Sequence, residues 1–226
     1  MGRTYNQSCV LAYTLDLLGE RWTFLIVRQL LLGPQRFAEI LAGLEGIGPN
    51  LLTKRLRDLE DARLVERAAG AGKAQRYQLT AEGEGLRSVL GNLVRWGFAY
   101  LVSDPDQSLL RYFSGEDGKG LTADAIALAM EAYAKRRAFG DTEFICRVQI
   151  EDAVFTLFHV NQKLLTRRGD EAPANAQVAS DRQTLRSILT GALPVEEAER
   201  TGQLSLEAPP EVAEALRKGI LAPARL

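Results

Sequence analysis

The stretch GPNLLTKRLRDLEDA, residues 48–62, decides the fold because it carries the pattern of an amphipathic helix. Leu52, Leu56 and Leu59 follow the spacing i, i+4 and i+7, and this spacing predicts a single apolar stripe. The opposite face and its edge carry polar side chains, namely Asn50, Thr53, Lys54, Arg57 and Asp61. The major groove of DNA admits a helix, and polar side chains read its base edges or hold its phosphates. The pattern therefore suits a DNA-recognition helix.

The residues that follow predict a basic hairpin. Strands are expected at 64–67 and 75–79, with the loop AAGAGKA between them. Lys73 lies in this loop, and Arg67 and Arg76 flank it. A helix followed by such a hairpin indicates the winged form of the helix-turn-helix. The competing interpretation is an ordinary core helix and hairpin whose charges are merely solvated, and it would be preferred if the helix stood alone.

The neighbouring segments favour the winged helix. Helices are predicted at 8–18, with Ser8 as its cap, at 22–32 and at 36–44, and a glycine-containing turn leads into the recognition helix. A long helix is predicted at 80–102, with Thr80 as its cap. Its apolar positions span an arc of roughly 200°, although packing on one core needs only ~100°. The surplus predicts a twofold dimer through this helix and the first one, or else coverage by the downstream domain.

Composition narrows the class of protein. The chain has 226 residues, 46% hydrophobic and 25% charged, which is typical of a globular protein with one large or two ordinary domains. No apolar run approaches the ~18 residues of a membrane span, and the N-terminus has no signal core, so we expect a cytoplasmic protein without membrane contact. Residues 1–103 hold 13 basic and 10 acidic side chains, a net charge of +3 that modestly favours nucleic acid.

Catalytic patterns are not found in the sequence. His159 is the only histidine, two cysteines cannot form a disulfide framework, and no metal-ligand cluster, nucleophile elbow or phosphate loop is present. We therefore expect neither an enzyme nor a cofactor or metal site.

Five motifs resemble the HxlR-type winged-helix transcriptional regulators. They are DLLGERWTFLIVRQLLLGPQRFAEI, GIGPNLLTKRLRDLE, LVER, YQLTAEG and RWG, within residues 8–101. The resemblance implies a dimeric DNA-binding regulator. It implies DNA contacts by Asn50, Thr53, Lys54 and Arg57, a phosphate contact by Arg36, and a wing that carries Lys73 and Arg76. The sequence departs from the family pattern at Gly48, where Ser often caps the helix, and at Arg63, where Gly is usual.

Cys9 matches the place at which some members of this family sense oxidants or electrophiles. If Ser8 caps the first helix, Cys9 lies in its first turn, where the helix dipole favours a thiolate. The alternative is that Cys9 is a small buried hydrophobic residue. Cys146 lies in an apparent strand and is expected in the core.

The second half of the chain predicts a separate domain. Residues 104–120 read as a linker and 121–226 as a domain with a helix at 122–138. Strands are expected at 144–150, 154–160, 163–168, 177–180 and 203–207, with helices beginning near 181, 194 and 211. This order predicts an α+β domain with a mostly antiparallel sheet, and the whole chain is classed as α+β.

Three segments of this half resemble sterol carrier protein type two-like domains, namely FTLFHVNQKLLTRRG, DRQTLRSILTG and AERTGQLSLE. One departure is Ala208-Pro209, where the family has Gly-Asp. The resemblance implies an apolar cavity for a small hydrophobic ligand, with candidate lining residues Phe155, Leu157, Phe158, Leu185 and Leu189. The same side chains would otherwise simply form the core.

The sequence thus predicts a homodimeric regulator on a palindromic operator, with DNA affinity set by a hydrophobic effector in the C-terminal domain or by thiol oxidation at Cys9. The alternative is a ligand carrier whose winged helix serves dimerisation only. The operator, the effector and the sign of regulation stay open.

Overall fold

A computed structural model describes residues 4–68, 75–102 and 121–223, and the chain divides into two compact units, Met1–Leu90 and Gly91–Leu226. The sequence had placed the domain boundary at 104–120. That whole segment lies outside the described residues, so the boundary remains a prediction. The division between the units falls inside a helix, which belongs to both.

The first unit has the predicted order of helices followed by a hairpin. Its elements are α1 Val10–Leu18, α2 Thr23–Leu31, β1 Gln35–Arg36, α3 Phe37–Ala42, α4 Pro49–Asp61, β2 Val65–Ala68, β3 Arg76–Leu79, α5 Ala81–Glu84 and α6 Leu86–Val102, which continues into the second unit. The three strands form one antiparallel sheet in the order β1-β3-β2. Helices followed by a small sheet make this unit a winged helix-turn-helix.

Helix α4 forms as its sequence predicts. Gly48 is its N-cap with extended backbone, and Pro49 occupies the first helical position, where a missing N–H has no cost. Leu52, Leu56 and Leu59 are all at most 2% exposed, so the apolar stripe faces the core. The helix ends at Asp61, and Arg63 then adopts a left-handed φ of 58° that turns the chain into β2.

Strand β1 was not predicted, because two residues are too short to show any periodicity. Gln35 pairs with Tyr77 and Arg36 with Arg76. The buried Gln35 side chain donates to Gln29 at 3.3 Å, and Gln29 in turn donates to the Gly43 carbonyl at 3.0 Å. This buried amide chain joins β1, α2 and the end of α3.

Two predicted helix boundaries were wrong. Helix α1 begins at Val10 with Cys9, rather than Ser8, at the N-cap position, and no side chain caps it. The helix predicted at 80–102 is interrupted at Gly85, where α5 ends and α6 begins. The predicted cap is confirmed, since the Thr80 hydroxyl accepts from the Gly83 N–H at 3.1 Å.

The second unit contains the C-terminal half of α6 and an α+β domain. Its further elements are α7 Ala123–Tyr133, a 3-10 turn Arg136–Ala138, β4 Phe144–Ile150, β5 Ala153–Val160, β6 Lys163–Arg168, β7 Ala176–Ser180, α8 Arg182–Thr190, α9 Val195–Arg200, β8 Leu204–Glu207 and α10 Pro210–Gly219. The sheet order is β6-β5-β4-β7-β8, and only the β4–β7 pairing is parallel. The mostly antiparallel sheet is confirmed, while α7 ends five residues before the predicted Ala138. The helix stops because Ala134 leaves the helical conformation, with ψ at 126°, before the 3-10 turn begins.

One face of this sheet carries the core of the unit. Alternate residues of β4, from Phe144 to Ile150, are buried, and Phe155 and Leu157 of β5 join them. His159 is 3% exposed, lies against the rings of Phe139 and Phe144, and has its Nδ1 2.7 Å from the Thr142 carbonyl. The single histidine is therefore a hydrogen-bonded core residue. Within the described ranges, no helix is long and apolar enough to cross a membrane.

Candidate nucleic-acid interface

The outer face of α4 presents polar side chains above its buried leucines. Asn50, Lys54 and Arg57 are exposed, and they occupy the face opposite Leu52, Leu56 and Leu59. Among residues 4–68, 75–102 and 121–223, Arg57 has no hydrogen bond or ion pair. Its guanidinium is thus available to an anionic partner such as a phosphate or to a guanine edge.

Lys54 and Arg55 share one acidic partner on the same helix. Lys54 Nζ lies 2.8 Å from Asp58 Oδ2, and Arg55 Nη1 lies 3.0 Å from the same oxygen. Arg55 also pairs with Glu20 at 2.6 Å, and its side chain is only 12% exposed. Its partners are Glu20 and Asp58, and so Arg55 joins α4 to the segment before α2.

The sheet brings together two arginines that are 40 positions apart in sequence. Arg36 lies opposite Arg76 in the β1–β3 register, and directly opposed residues project from the same face of a sheet. Arg36 is exposed, while Arg76 is half-buried and donates to the Pro34 carbonyl at 3.1 Å. The register therefore places two arginines side by side on one face of the sheet, and their positive charge suits a phosphate.

Arg67, a further arginine of the hairpin, forms an ion pair within the protein. Arg67 donates to both carboxylate oxygens of Glu60, at 2.6 and 3.3 Å, and its guanidinium carbon lies 5.8 Å from the Tyr77 ring centroid. The hydrogen bonds to Glu60 raise the pKa of Arg67, so this side chain stays charged. It fixes β2 and β3 to the end of α4.

Thr53 and Lys73 are two further residues predicted to contact DNA. Thr53 is half-buried, and its hydroxyl donates to the Pro49 carbonyl at 2.9 Å, so a DNA contact there would use the remaining lone pair or the methyl group. Lys73 lies outside the described residues, and its role in the wing stays a prediction.

Comparison with known proteins identifies the family to which this region of the chain belongs. A model described as HxlR-like helix-turn-helix matches residues 17–105. The HTH-type transcriptional regulator YvaP of Bacillus subtilis is 39% identical over 88 residues, which is 38% of this chain and 82% of YvaP. The chain belongs to the HxlR-like helix-turn-helix family.

Two further relatives of this HxlR-like chain are also HTH-type transcriptional regulators. YodB of Bacillus subtilis is 35% identical over 98 residues, covering 42% of this chain and 86% of YodB. Rv3095 of Mycobacterium tuberculosis is 38% identical over 89 residues, covering 38% of this chain and 56% of Rv3095. The crystal structure of quinone-bound YodB aligns with 39% of this chain and 96% of its own, at 34% identity and a TM-score of 0.36. These relatives support a DNA-binding regulator.

The two cysteines of the HxlR-like chain differ in environment. Cys9 is exposed and stands at the N-cap position of α1, not in the first turn as the sequence had suggested. Cys146 is fully buried, and burial raises the pKa of its thiol to about 12, although a backbone hydrogen bond from Val178 opposes the shift. Cys146 is a core residue, as expected.

The five residues expected to line a ligand cavity do not all line the same one. Phe155, Leu157 and Leu185 are at most 2% exposed in the core. Phe158 lies on the opposite face of the sheet from Phe155 and Leu157, because side chains alternate along a strand. Grouping these residues around one cavity was therefore wrong. Leu189 alone among the five lines a cleft in the second unit, of about 340 Å³, between α6, α7 and α8.

This cleft was missed for a physical reason. Its walls come from three helices that are distant in sequence, and they include Val94, Gly97 and Phe98 of α6. In the sequence, Val94 and Phe98 belong to one wide apolar arc and carry no signal of an opening. The only hint was that the arc is too wide for a single partner.

Proposed function

We propose that this chain is a homodimeric transcriptional regulator that reads a palindromic operator through α4. The observation that carries the proposal is the exposed row of Asn50, Lys54 and Arg57 above the buried leucine stripe. A recognition helix needs this arrangement, since one face must anchor it to the domain while the other enters the major groove. Membership of the HxlR-like family supports the same function.

Phosphate contacts would position the helix. Arg36 and Arg76, adjacent in the sheet, would hold one phosphate, and Lys73 in the wing would reach another. Such contacts set register and affinity, while base contacts from α4 set sequence preference.

A dimer is supported by an apolar stripe on α6. Val89, Leu93, Trp96 and Tyr100 are between 42% and 66% exposed and recur at i, i+4, i+7 and i+11. Helix α1 exposes a comparable set, Val10, Leu11, Tyr13 and Leu15. Large apolar side chains exposed in such rows are typical of an interface, and a twofold axis would place two copies of α4 about 34–36 Å apart on DNA.

The test is a mobility shift with DNA from directly upstream of the gene, with excess nonspecific competitor. Arg57→Ala should weaken operator binding roughly 5- to 150-fold, the range expected when one specific arginine is removed. Arg200→Ala is the matched control, because Arg200 is an exposed arginine of the second unit. Unchanged operator affinity in Arg57→Ala would remove α4 from the interface.

In this proposal, the second unit and Cys9 control the affinity for DNA. The sterol-carrier-like motifs and the five-stranded sheet with its helices support a hydrophobic effector. The relative YodB has been crystallised with a quinone bound, and the exposed thiol of Cys9 supports oxidant or electrophile sensing here. Loss of an oxidant's effect on operator binding in Cys9→Ser would identify the thiol; a retained effect would exclude it.

A second candidate function is a hydrophobic-ligand carrier whose winged helix only dimerises. The cleft of about 340 Å³ in the second unit favours it. One measurement distinguishes the two functions. Only the regulator should bind DNA with a sequence preference and with an affinity that depends on salt concentration. A folded dimer that shifts neither the upstream DNA nor a genomic fragment pool would favour the carrier.

A further inference from the structure

The cleft between α6, α7 and α8 has the size and lining of a small-molecule site. Its volume of about 340 Å³ falls at the lower end of the range of ligand pockets, ~300–1,000 Å³. Its accessible lining atoms are almost all apolar. Among the described lining residues Arg186 alone is charged, and it therefore contributes mainly its methylene groups.

The cleft is open because small side chains face each other across it. Gly97 of α6 and Ala125 and Ala129 of α7 all contribute to its walls. Outside its own helix, no described atom lies within 4 Å of the position that a Cβ would take at Gly97. A glycine inside a helix costs about 1 kcal/mol relative to alanine, and no close backbone contact requires a glycine here.

The polar groups near the cleft are already bonded to the protein. The Tyr133 hydroxyl donates to the Val94 carbonyl at 3.1 Å, and Arg95 Nη1 donates to the Ala132 carbonyl at 2.8 Å. The Tyr133 ring packs on Phe98 with centroids 5.1 Å apart. These contacts hold α6 against α7 and leave aromatic and aliphatic surface toward the opening. The wall formed by the described residues therefore suits an uncharged ligand.

We propose that this cleft binds a small, uncharged, mainly aromatic molecule and that the ligand acts on DNA binding through α6. Four residues of α6 line the cleft, Leu93, Val94, Gly97 and Phe98. The same helix starts in the DNA-binding unit, where Arg87 donates to the Leu31 carbonyl at the end of α2 and pairs with Glu84. A ligand that selects one position of α6 therefore biases the element on which the first unit is anchored. The regulatory half of this inference rests on the proposed function.

Binding is tested with N-phenyl-1-naphthylamine, a neutral aromatic fluorophore, titrated into the full chain. We expect saturable fluorescence with one probe per chain. Ala129→Leu and Gly97→Leu fill the cleft from opposite walls and should each weaken binding roughly tenfold or more. Ala123→Leu makes the same change on α7 outside the lining and should leave the affinity within about twofold. Circular dichroism confirms that each variant is folded.

Two results would overturn the site. The first is that the wild-type protein does not bind the probe saturably. The second is that the Ala129→Leu and Gly97→Leu variants are folded and bind the probe as tightly as the wild type does. Two filling variants on different helices guard against a single variant that fails to fold.

Regulation is tested separately by operator affinity with and without saturating probe. We expect a change of roughly threefold or more in the wild type, within the usual range of allosteric coupling, and none in Ala129→Leu. Probe binding without any change in operator affinity overturns the coupling through α6. If no DNA is bound at all while the filling variants still lose the probe, the regulator function fails and the site stands.

Discussion

At the level of single residues, burial separates two chemically identical thiols. Cys9 is exposed, while Cys146 lies in the sheet core with its pKa raised to about 12, first because burial disfavours the thiolate. The thiolate is the reactive form of cysteine, so at neutral pH Cys146 is protected both by its protonation and by its inaccessibility. Any thiol chemistry of the native chain therefore belongs to Cys9.

Titration with a thiol-reactive disulfide reagent should modify one cysteine per native chain and two after denaturation. Cys9→Ser should show none in the native state, whereas Cys146→Ala should still show one. A native Cys9→Ser chain that reacts rapidly would mean that the core around Cys146 opens far more readily than its burial indicates.

Backbone strain at one exposed residue offers a second test. Arg63 follows the end of α4 with φ at 58°, a left-handed conformation that costs a residue with a side chain roughly 1–2 kcal/mol. The contact with this turn is made to its backbone rather than to the arginine side chain, because the Arg63 carbonyl accepts a hydrogen bond from the Thr80 hydroxyl at 2.6 Å. The arginine side chain is exposed.

Arg63→Gly should therefore raise the free energy of unfolding of the first unit by about 1 kcal/mol, because glycine adopts this φ without strain. The measurement is urea unfolding of the full chain, and Arg63→Ala serves as control because alanine keeps the penalty. Equal stabilities of the glycine and alanine variants would contradict strain at this position.

At the level of elements, α8 depends on an ionised cap. The Asp181 carboxylate accepts from the Gln183 and Thr184 N–H groups at 2.8 and 2.9 Å and from the Thr184 hydroxyl at 2.6 Å. Burial by itself would raise the pKa of Asp181, but these hydrogen bonds outweigh it and the pKa is lowered. A lowered folded-state pKa means that the stabilisation is present above the unfolded-state value and is lost as the pH falls through the folded one.

Asp181→Ala should destabilise the second unit by about 1 kcal/mol near neutral pH, the usual cost of removing a cap. Asp181→Asn keeps a cap without a titrating group, so its stability should fall less than that of the wild type as the pH is lowered below about 4. Thermal unfolding across this pH range measures both. Parallel pH profiles for wild type and Asp181→Asn would exclude the linkage.

The apolar stripe of α6 gives a prediction about assembly. Trp96 is 66% exposed and stacks on Tyr100 with ring centroids 5.5 Å apart. In a dimer through this stripe, Trp96→Glu would bury a charge, and a loss of roughly 2 kcal/mol or more of dimerisation free energy is expected for such a residue. Sedimentation equilibrium measures this loss.

Ser88→Glu is the matched control, because it adds the same charge to an exposed position of α6 outside the stripe. It should leave the dimer intact. A Trp96→Glu chain that remains fully dimeric would place the interface elsewhere.

For the whole molecule, the prediction concerns charge. The net charge of −1 hides a locally basic face, where Arg36 stands opposite Arg76 in the β1–β3 register and where we propose that DNA binds. Binding that neutralises phosphates releases counterions, so log affinity should fall linearly with log salt. Arg36→Ala should reduce this slope by roughly 0.9 for each phosphate that the protein no longer neutralises, and by about twice that in a dimer.

This weakening should be nearly equal for operator and for nonspecific DNA, because a phosphate contact carries no sequence information. Arg200→Ala should leave the slope unchanged. A weakening confined to the operator would instead make Arg36 a base-reading residue.

Much of the fold could be predicted from local pattern. The i, i+4, i+7 leucines of α4 and the alternation in β4 each show which side is buried, because helix and strand periods are properties of short segments. The Thr80 and Asp181 caps are local for the same reason. Strand β1, by contrast, has two residues and exists because its partner β3 lies beside it.

The candidate site was predicted unevenly. The outward face of α4 followed from its periodicity, whereas the pairing of Arg36 with Arg76 needed the strand register. The five residues predicted to line a ligand cavity do not share one face, because Phe155 and Phe158 differ by an odd number of positions and so lie on opposite faces of the sheet.

The sequence by itself determined the winged helix-turn-helix, its family and the polar outer face of α4, since periodicity, turn residues and motif spacing are all local. Only the tertiary structure decided which arginines stand together, which apolar side chains of α6 stay exposed, and where a cleft opens between α6, α7 and α8. Those features depend on which distant segments come into contact, and a contact between segments far apart leaves no period in either one.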